Sequence, residues 1–179
     1  MLNQTPVVLA LVAGLLGLLF VGYTARHVLA KEQGTDKMKE IGKAIQEGAA
    51  AFLFAEYRVL VLFALVVAVV TALGLGWQTA LSFVFGAILS AVAGNIGMNI
   101  AVRSNTRTAA AAQESLNSGL RVAFNSGTVM GMSVVSLGLG GIALLSLIFA
   151  AMGASLAEIT QWVTGFGFGA SSIALFARV

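Results

Sequence analysis

Directly after Arg58 the chain runs VLVLFALVVAVVTALGLG, eighteen residues without a charge. A hydrocarbon layer of about 30 Å takes roughly 20 helical residues to cross. Four uncharged stretches of this order cover residues 7–25, 59–76, 80–102 and 122–152, and a fifth apolar stretch, 162–179, runs to the end of the sequence. Only 9 % of the residues are charged and 59 % are apolar, whereas a soluble domain carries about 25 % charge. So few polar side chains cannot cover a core of that size in water. Each stretch must satisfy its own backbone polar groups in lipid, which a single segment does only as a helix. The sequence therefore predicts an all-α membrane protein, a multi-pass transmembrane helical bundle in the lipid bilayer.

Several classes of chemistry drop out at once. The chain has no cysteine and a single histidine, His27, so disulfides, thiolate metal sites and a histidine metal site are not expected. The net charge of +3 follows membrane topology, and no nucleic-acid partner is implied. Residues 1–6 contain no Lys or Arg, unlike the basic start of a signal peptide. The first stretch is followed by Tyr23, Arg26 and Lys31, the flank of a retained anchor.

All ten Lys and Arg residues fall on one side of the expected bundle. The connections 26–58 and 103–121 carry nine of them, and Arg178 closes the fifth stretch. The positive-inside rule assigns that side to the cytoplasm and leaves the N-terminus non-cytoplasmic. Tyr23, Tyr57, Trp77 and Trp162 lie at the ends of the spans, the headgroup level that such rings favour.

The run MKEIGKAIQEGAAAFLFAEYR from Met38 joins the apolar stretch without a break. Met38, Ile41, Ala44, Ile45, Phe52 and Leu53 keep helical spacing while Lys39, Lys43, Gln46 and Glu47 face away. One helix is predicted to leave the membrane by two to four turns, capped at Thr35 or Asp36. Glu56 and Arg58 mark its water line. A second helical extension is expected after the third span, where AVRSNTRTAAAAQESLNSGLRVAF is rich in helix-favouring alanine.

Glycines cluster inside the spans, and Gly127 with Gly131 forms a GxxxG spacing that lets helix backbones approach closely. Asn95, Asn99, Asn125, Ser126, Thr128, Ser133, Ser136, Ser171 and Ser172 are expected to bond between helices. Glu56, Glu114 and Glu158 fall in or near connections, so no span offers the buried carboxylate of a proton relay. Pro6, the only proline, precedes the first span, and no internal duplication points to a transporter of inverted repeats.

Four motifs carry a resemblance. KMKEIGKAIQEGAAAFLFAEYR, GNIGMNIAVRSNTRTA, VAFNSGTVMGM and GFGFGASSIALFARV stand in the order and spacing of the N-terminal quarter of the membrane-integral pyrophosphatases. That family comprises the pyrophosphate-driven proton or sodium pumps. The resemblance implies a homodimer whose chains each have about sixteen membrane helices, of which five are here. It places the first four spans in an outer ring and the fifth in an inner ring of six helices around a cytoplasmic pyrophosphate site.

In the family an aspartate-rich helix follows the FARV segment and holds magnesium, which shields phosphate charge and activates water. Those aspartates are not among these residues, so the resemblance implies no catalytic and no metal-binding residue in this chain. It leaves one position, Arg178, which matches an arginine at the family's ion gate beneath the hydrolytic site. It implies Mg2+ as a cofactor of the whole protein, leaves a K+ requirement open, and leaves the pumped ion as H+ or Na+. The alternative is a non-enzymatic five-helix membrane protein that packs against partners through its glycines.

Overall fold

The computed structural model describes residues 4–176 and holds five helices: α1 (Thr5–Leu29), α2 (Asp36–Leu75), α3 (Trp77–Glu114), α4 (Leu116–Ala151) and α5 (Leu156–Phe176). No strand occurs among the described residues. Four of the helices, α1 to α4, are long and apolar enough to cross a membrane. In α5 the glycines, serines and threonines dilute the apolar run, and its 21 described residues fall short of that mark.

The junction between the amphipathic run and the uncharged stretch is a single helix. α2 has 40 residues and is therefore roughly 60 Å long, about twice the hydrocarbon thickness. Its start is set by Thr35, whose hydroxyl accepts from the Met38 amide at 3.4 Å, and Asp36 in the first turn pairs with Lys39 at 2.9 Å. α3, with 38 residues, likewise extends past the span expected for it. The two extensions lie together, because a side chain at Gly42 would run into Thr106.

Single residues separate these long helices. Between α2 and α3 stands Gly76, with φ of +97°, a conformation that glycine alone adopts freely. Between α3 and α4 stands Ser115, fully extended, whose hydroxyl caps α4 by accepting from the Ser118 amide at 3.1 Å. Cross-helix pairs fix the directions. Gly42 meets Thr106 and Tyr57 reaches Ala91, so α2 runs against α3; Gly165 meets Thr79 and Gly169 meets Phe83, so α5 runs with it.

α3 is the hub and touches each of the other four helices. Its most apolar stretch is 33 % buried, that of α2 only 11 %, so α2 gives most of its surface away from the bundle. The core falls into three clusters: Leu145, Phe149, Ile159 and Phe166 between α4 and α5, Val21, Ile100 and Val129 where α1, α3 and α4 meet, and Leu60, Ala87 and Ile173 joining α2, α3 and α5.

Two of the four interfacial aromatics do something other than sit at a water line. Trp162 packs edge-on against Phe149 at 5.2 Å, and Tyr57 donates to the Ala91 carbonyl at 3.1 Å. Tyr23 and Trp77 are exposed. Three of the in-span hydroxyls also depart from expectation: Thr128, Ser133 and Ser172 donate to carbonyls of their own helices. Ser126 bridges two helices, accepting from Ser104 at 2.8 Å.

The start of α5 is a reciprocal cap. The Glu158 carboxylate accepts from the Ser155 amide at 2.8 Å and from its hydroxyl, while the Glu158 amide donates back to Ser155 Oγ. The Ser155 hydroxyl and amide hold the Glu158 carboxyl below its ordinary range. A depressed carboxyl stabilises the fold above its unfolded pKa, and that contribution is lost as pH falls through the folded value. Acidification should therefore lower the amide protection factors, taken relative to the intrinsic exchange rate at each pH, in the first turn of α5. Glu158→Gln should make those protection factors independent of pH through the carboxylate range; the same pH dependence of protection in the variant as in the unaltered chain would count against the cap.

Candidate functional site

α5 is held against α3 by glycine. A Cβ at Gly165 would run into the Thr79 carbonyl, one at Gly169 into the Phe83 carbonyl, and one at Gly86 into the Phe166 carbonyl. Ser90 adds a hydrogen bond to the Ala170 carbonyl at 3.0 Å. α1 meets α4 in the same way, with Gly14 against Gly140 and Gly17 against Ser136. At Gly127 and Gly131, whose spacing suggested a packing motif, a Cβ would meet nothing within 4 Å. The spacing is there, but among the described residues its face has no neighbour.

Beside the α3–α5 seam lies a cavity of about 410 Å3, walled by Phe52 and Leu60 of α2, Ser90 and Gly94 of α3, Met130 of α4 and Ala170 of α5. Glu56 also lines it. Its Oε1 is sealed from solvent and has no hydrogen-bond partner among the described residues. This corrects the expectation that Glu56 only marks the water line. A buried polar atom without a partner is costly, so Glu56 belongs to the cavity chemically. The sequence held the signal: Glu56 lies four residues after Phe52 and therefore on the same helical face.

At the C-terminal end of α1 a second polar device closes that helix. Arg107, in the extension of α3 beyond its uncharged stretch, is buried, and its Nε and Nη2 donate to the Leu29 carbonyl at 3.2 and 3.0 Å. Its Nη1 donates to the Arg103 carbonyl of its own helix. Leu29 ends α1, so a cation from α3 satisfies a carbonyl left over at a helix C-terminus, where positive charge is favoured. Burial, and Arg103 beside it, lower the Arg107 pKa from the usual arginine value. The sequence marks Arg107 only as one of the cations on a shared side; nothing in its spacing reveals the contact.

The described cations gather at one end of the bundle, because α1 and α3 run towards it and α2 and α4 start from it. α5 also ends there. Arg178, the gate position expected from the sequence, lies outside the described residues. His27 is exposed. No group of three or more His, Asp or Glu side chains comes together among the described residues. The residues present do not fit a magnesium site, and no step of hydrolysis is assigned to them.

A family model described as "Inorganic H+ pyrophosphatase" matches residues 15–179. The chain is 46 % identical, over 98 % of its length, to a "Putative K(+)-stimulated pyrophosphate-energized sodium pump" of Clostridium tetani, of which it covers 25 %. A K(+)-insensitive pyrophosphate-energized proton pump 2 of Moorella thermoacetica is 45 % identical over 93 % of the chain, which covers 24 % of it. A K(+)-insensitive pyrophosphate-energized proton pump of Methanosarcina mazei is 40 % identical over 93 % of the chain, again covering 24 %. The chain thus spans about a quarter of the length of the curated relatives it matches. With the sequence matching over nearly the whole length and folding into long apolar helices, the chain belongs to the inorganic H+ pyrophosphatase family.

Proposed function

We propose that this chain forms the N-terminal helices of a pump that couples hydrolysis of inorganic pyrophosphate to phosphate with movement of protons or sodium out of the cytoplasm. The observation that carries the reading is the family match over residues 15–179. Relatives named for sodium and for protons match almost equally, at 46 % and 45 % identity, so identity does not choose the ion. Their names likewise include both K+-stimulated and K+-insensitive pumps.

In this reading the cation-bearing end faces the cytoplasm, the N-terminus is non-cytoplasmic and the protein sits in the cell membrane, as a homodimer in its whole form. Mg2+ would be held by residues outside this chain and would shield the phosphate charge of the substrate. The chain's own part is to position α5. The glycine seam fixes α5 against α3 along Gly165 and Gly169, and α5 leads directly into Arg178. The family resemblance gives Arg178 the role of a gate cation, since a guanidinium close to a carboxylate favours its charged form.

The test is transport by the whole protein in proteoliposomes supplied with pyrophosphate and Mg2+. Phosphate release should accompany ion uptake, and Arg178→Ala should abolish uptake or uncouple it from phosphate release. Full pumping by that variant would refute the role of Arg178, and no phosphate release by the whole protein would refute the reading itself. The 179-residue chain alone should release none. A non-enzymatic packing protein would behave the same as a chain alone, so only the whole protein separates the two.

A further inference from the structure

The wall of the cavity beside the α3–α5 seam is mostly hydrocarbon, with Phe52 and Leu60 of α2, Leu89 of α3, Leu137 of α4 and Ile173 of α5. Three lining side chains carry oxygen: Tyr57, Ser90 and Glu56. Two of them have already spent their only donor. The Tyr57 hydroxyl donates to the Ala91 carbonyl at 3.1 Å, and the Ser90 hydroxyl to the Ala170 carbonyl at 3.0 Å. Neither is left to serve Glu56.

Glu56 also has no cation. Among the described residues the ion pairs are Lys39–Asp36 and Lys43–Glu47. Arg58, two residues further on, is turned over the Phe54 ring with its guanidinium 5.7 Å from the ring centre, and neither of those residues lines the cavity. Glu56 is half-buried with Oε1 its sealed atom, so its carboxylate is neither fully solvated nor out of reach. A charge in apolar surroundings is costly unless it is paired. Hydrocarbon walls with one unpaired negative charge define their own complement: an apolar body bearing one positive, hydrogen-donating group. The volume, about 410 Å3, lies in the range of sites for small organic molecules.

We propose that this cavity binds a lipophilic ammonium ion, a compact hydrocarbon carrying one protonated primary amine, with the ammonium on the Glu56 carboxylate and the hydrocarbon among Leu60, Leu89 and Leu137. An anion of the same shape is repelled by Glu56, and a neutral molecule leaves its charge unpaired. Gly94 and Gly138 face each other's helices across the same cavity, and a Cβ at either would meet nothing within 4 Å. The room for the ligand therefore lies where a larger side chain could be placed without strain. The proposal is independent of the pumping reading, since it concerns only residues of this chain.

The probe is adamantylammonium, with adamantanol and adamantanecarboxylate as neutral and anionic matches in size. Equilibrium dialysis of the full chain in neutral detergent, against protein-free micelles of the same detergent, reads the saturable binding of each. The ammonium should bind roughly tenfold more tightly than the alcohol, the low end of what a charge-assisted hydrogen bond contributes, and the carboxylate should bind more weakly than either. Glu56→Gln keeps the shape and removes the charge, so it should bring the ammonium down to the level of the alcohol. Gly94→Leu should fill the cavity and abolish saturable binding of both, whereas Glu114→Gln, at an exposed carboxylate outside the cavity, should change nothing. Absence of saturable binding, equal affinity for ammonium and alcohol, an unaltered preference in Glu56→Gln, unchanged binding in Gly94→Leu, or an equal loss in Glu114→Gln would each overturn the site.

Discussion

Gly169→Val should push α5 off α3 and lower the stability of the chain in micelles by about 3 kcal/mol, the upper part of the usual overpacking range. The reason is positional. The Cβ would run into the Phe83 carbonyl and press on the Ala87 amide, and backbone atoms inside a helix cannot step aside as a flexible side chain can. Phe83 itself is completely buried, so this segment of α3 cannot shift without disturbing packed side chains. Gly127→Ala and Gly131→Ala should change stability by no more than about 0.5 kcal/mol, because nothing lies within 4 Å of a Cβ at either position. Denaturant unfolding of the three variants is the measurement. Similar losses in all three would mean that glycine matters here for helix flexibility and not for close approach.

The second large effect is expected at Arg107. Removing its side chain in Arg107→Ala leaves the Leu29 carbonyl without its donors and should cost about 3 kcal/mol, the scale of charge-assisted hydrogen bonds lost from a buried position. Arg107→Lys keeps the charge but offers no planar fork, so it should recover only part of the loss. Hydrogen exchange would show where the damage falls. The last turn of α1, ending at Leu29, should open in Arg107→Ala, while the α3–α5 seam stays protected. Loss confined to α3 would indicate that the bond to the Arg103 carbonyl is the one that matters.

What could be read in the sequence follows from where the information lies. The continuity of α2 was legible because a helix repeats its face every few residues, and Met38, Ile41 and Ile45 carry that period into the uncharged stretch. The start at Thr35 was legible because capping is a local rule. The choice of packing glycines was not: Gly127–Gly131 and Gly165–Gly169 have the same spacing, and only the position of α3 makes the second pair a contact. Tyr57 and Glu56 show the same limit. Both stand at the membrane boundary by sequence count, yet α3 lies close enough for Tyr57 to bond across to it and for Glu56 to point into the cavity beside it.

The single-residue joints at Gly76 and Ser115 have a mechanical consequence. With one residue between them, α2, α3 and α4 have no slack at their turns, so the chain behaves as a folded rule with a joint at each end of α3. A tilt of α3 must drag the end of α2 at one joint and the start of α4 at the other, in opposite directions. Since α5 is pressed along α3 by glycine, any force on α5 is delivered to both ends of the bundle through these two joints.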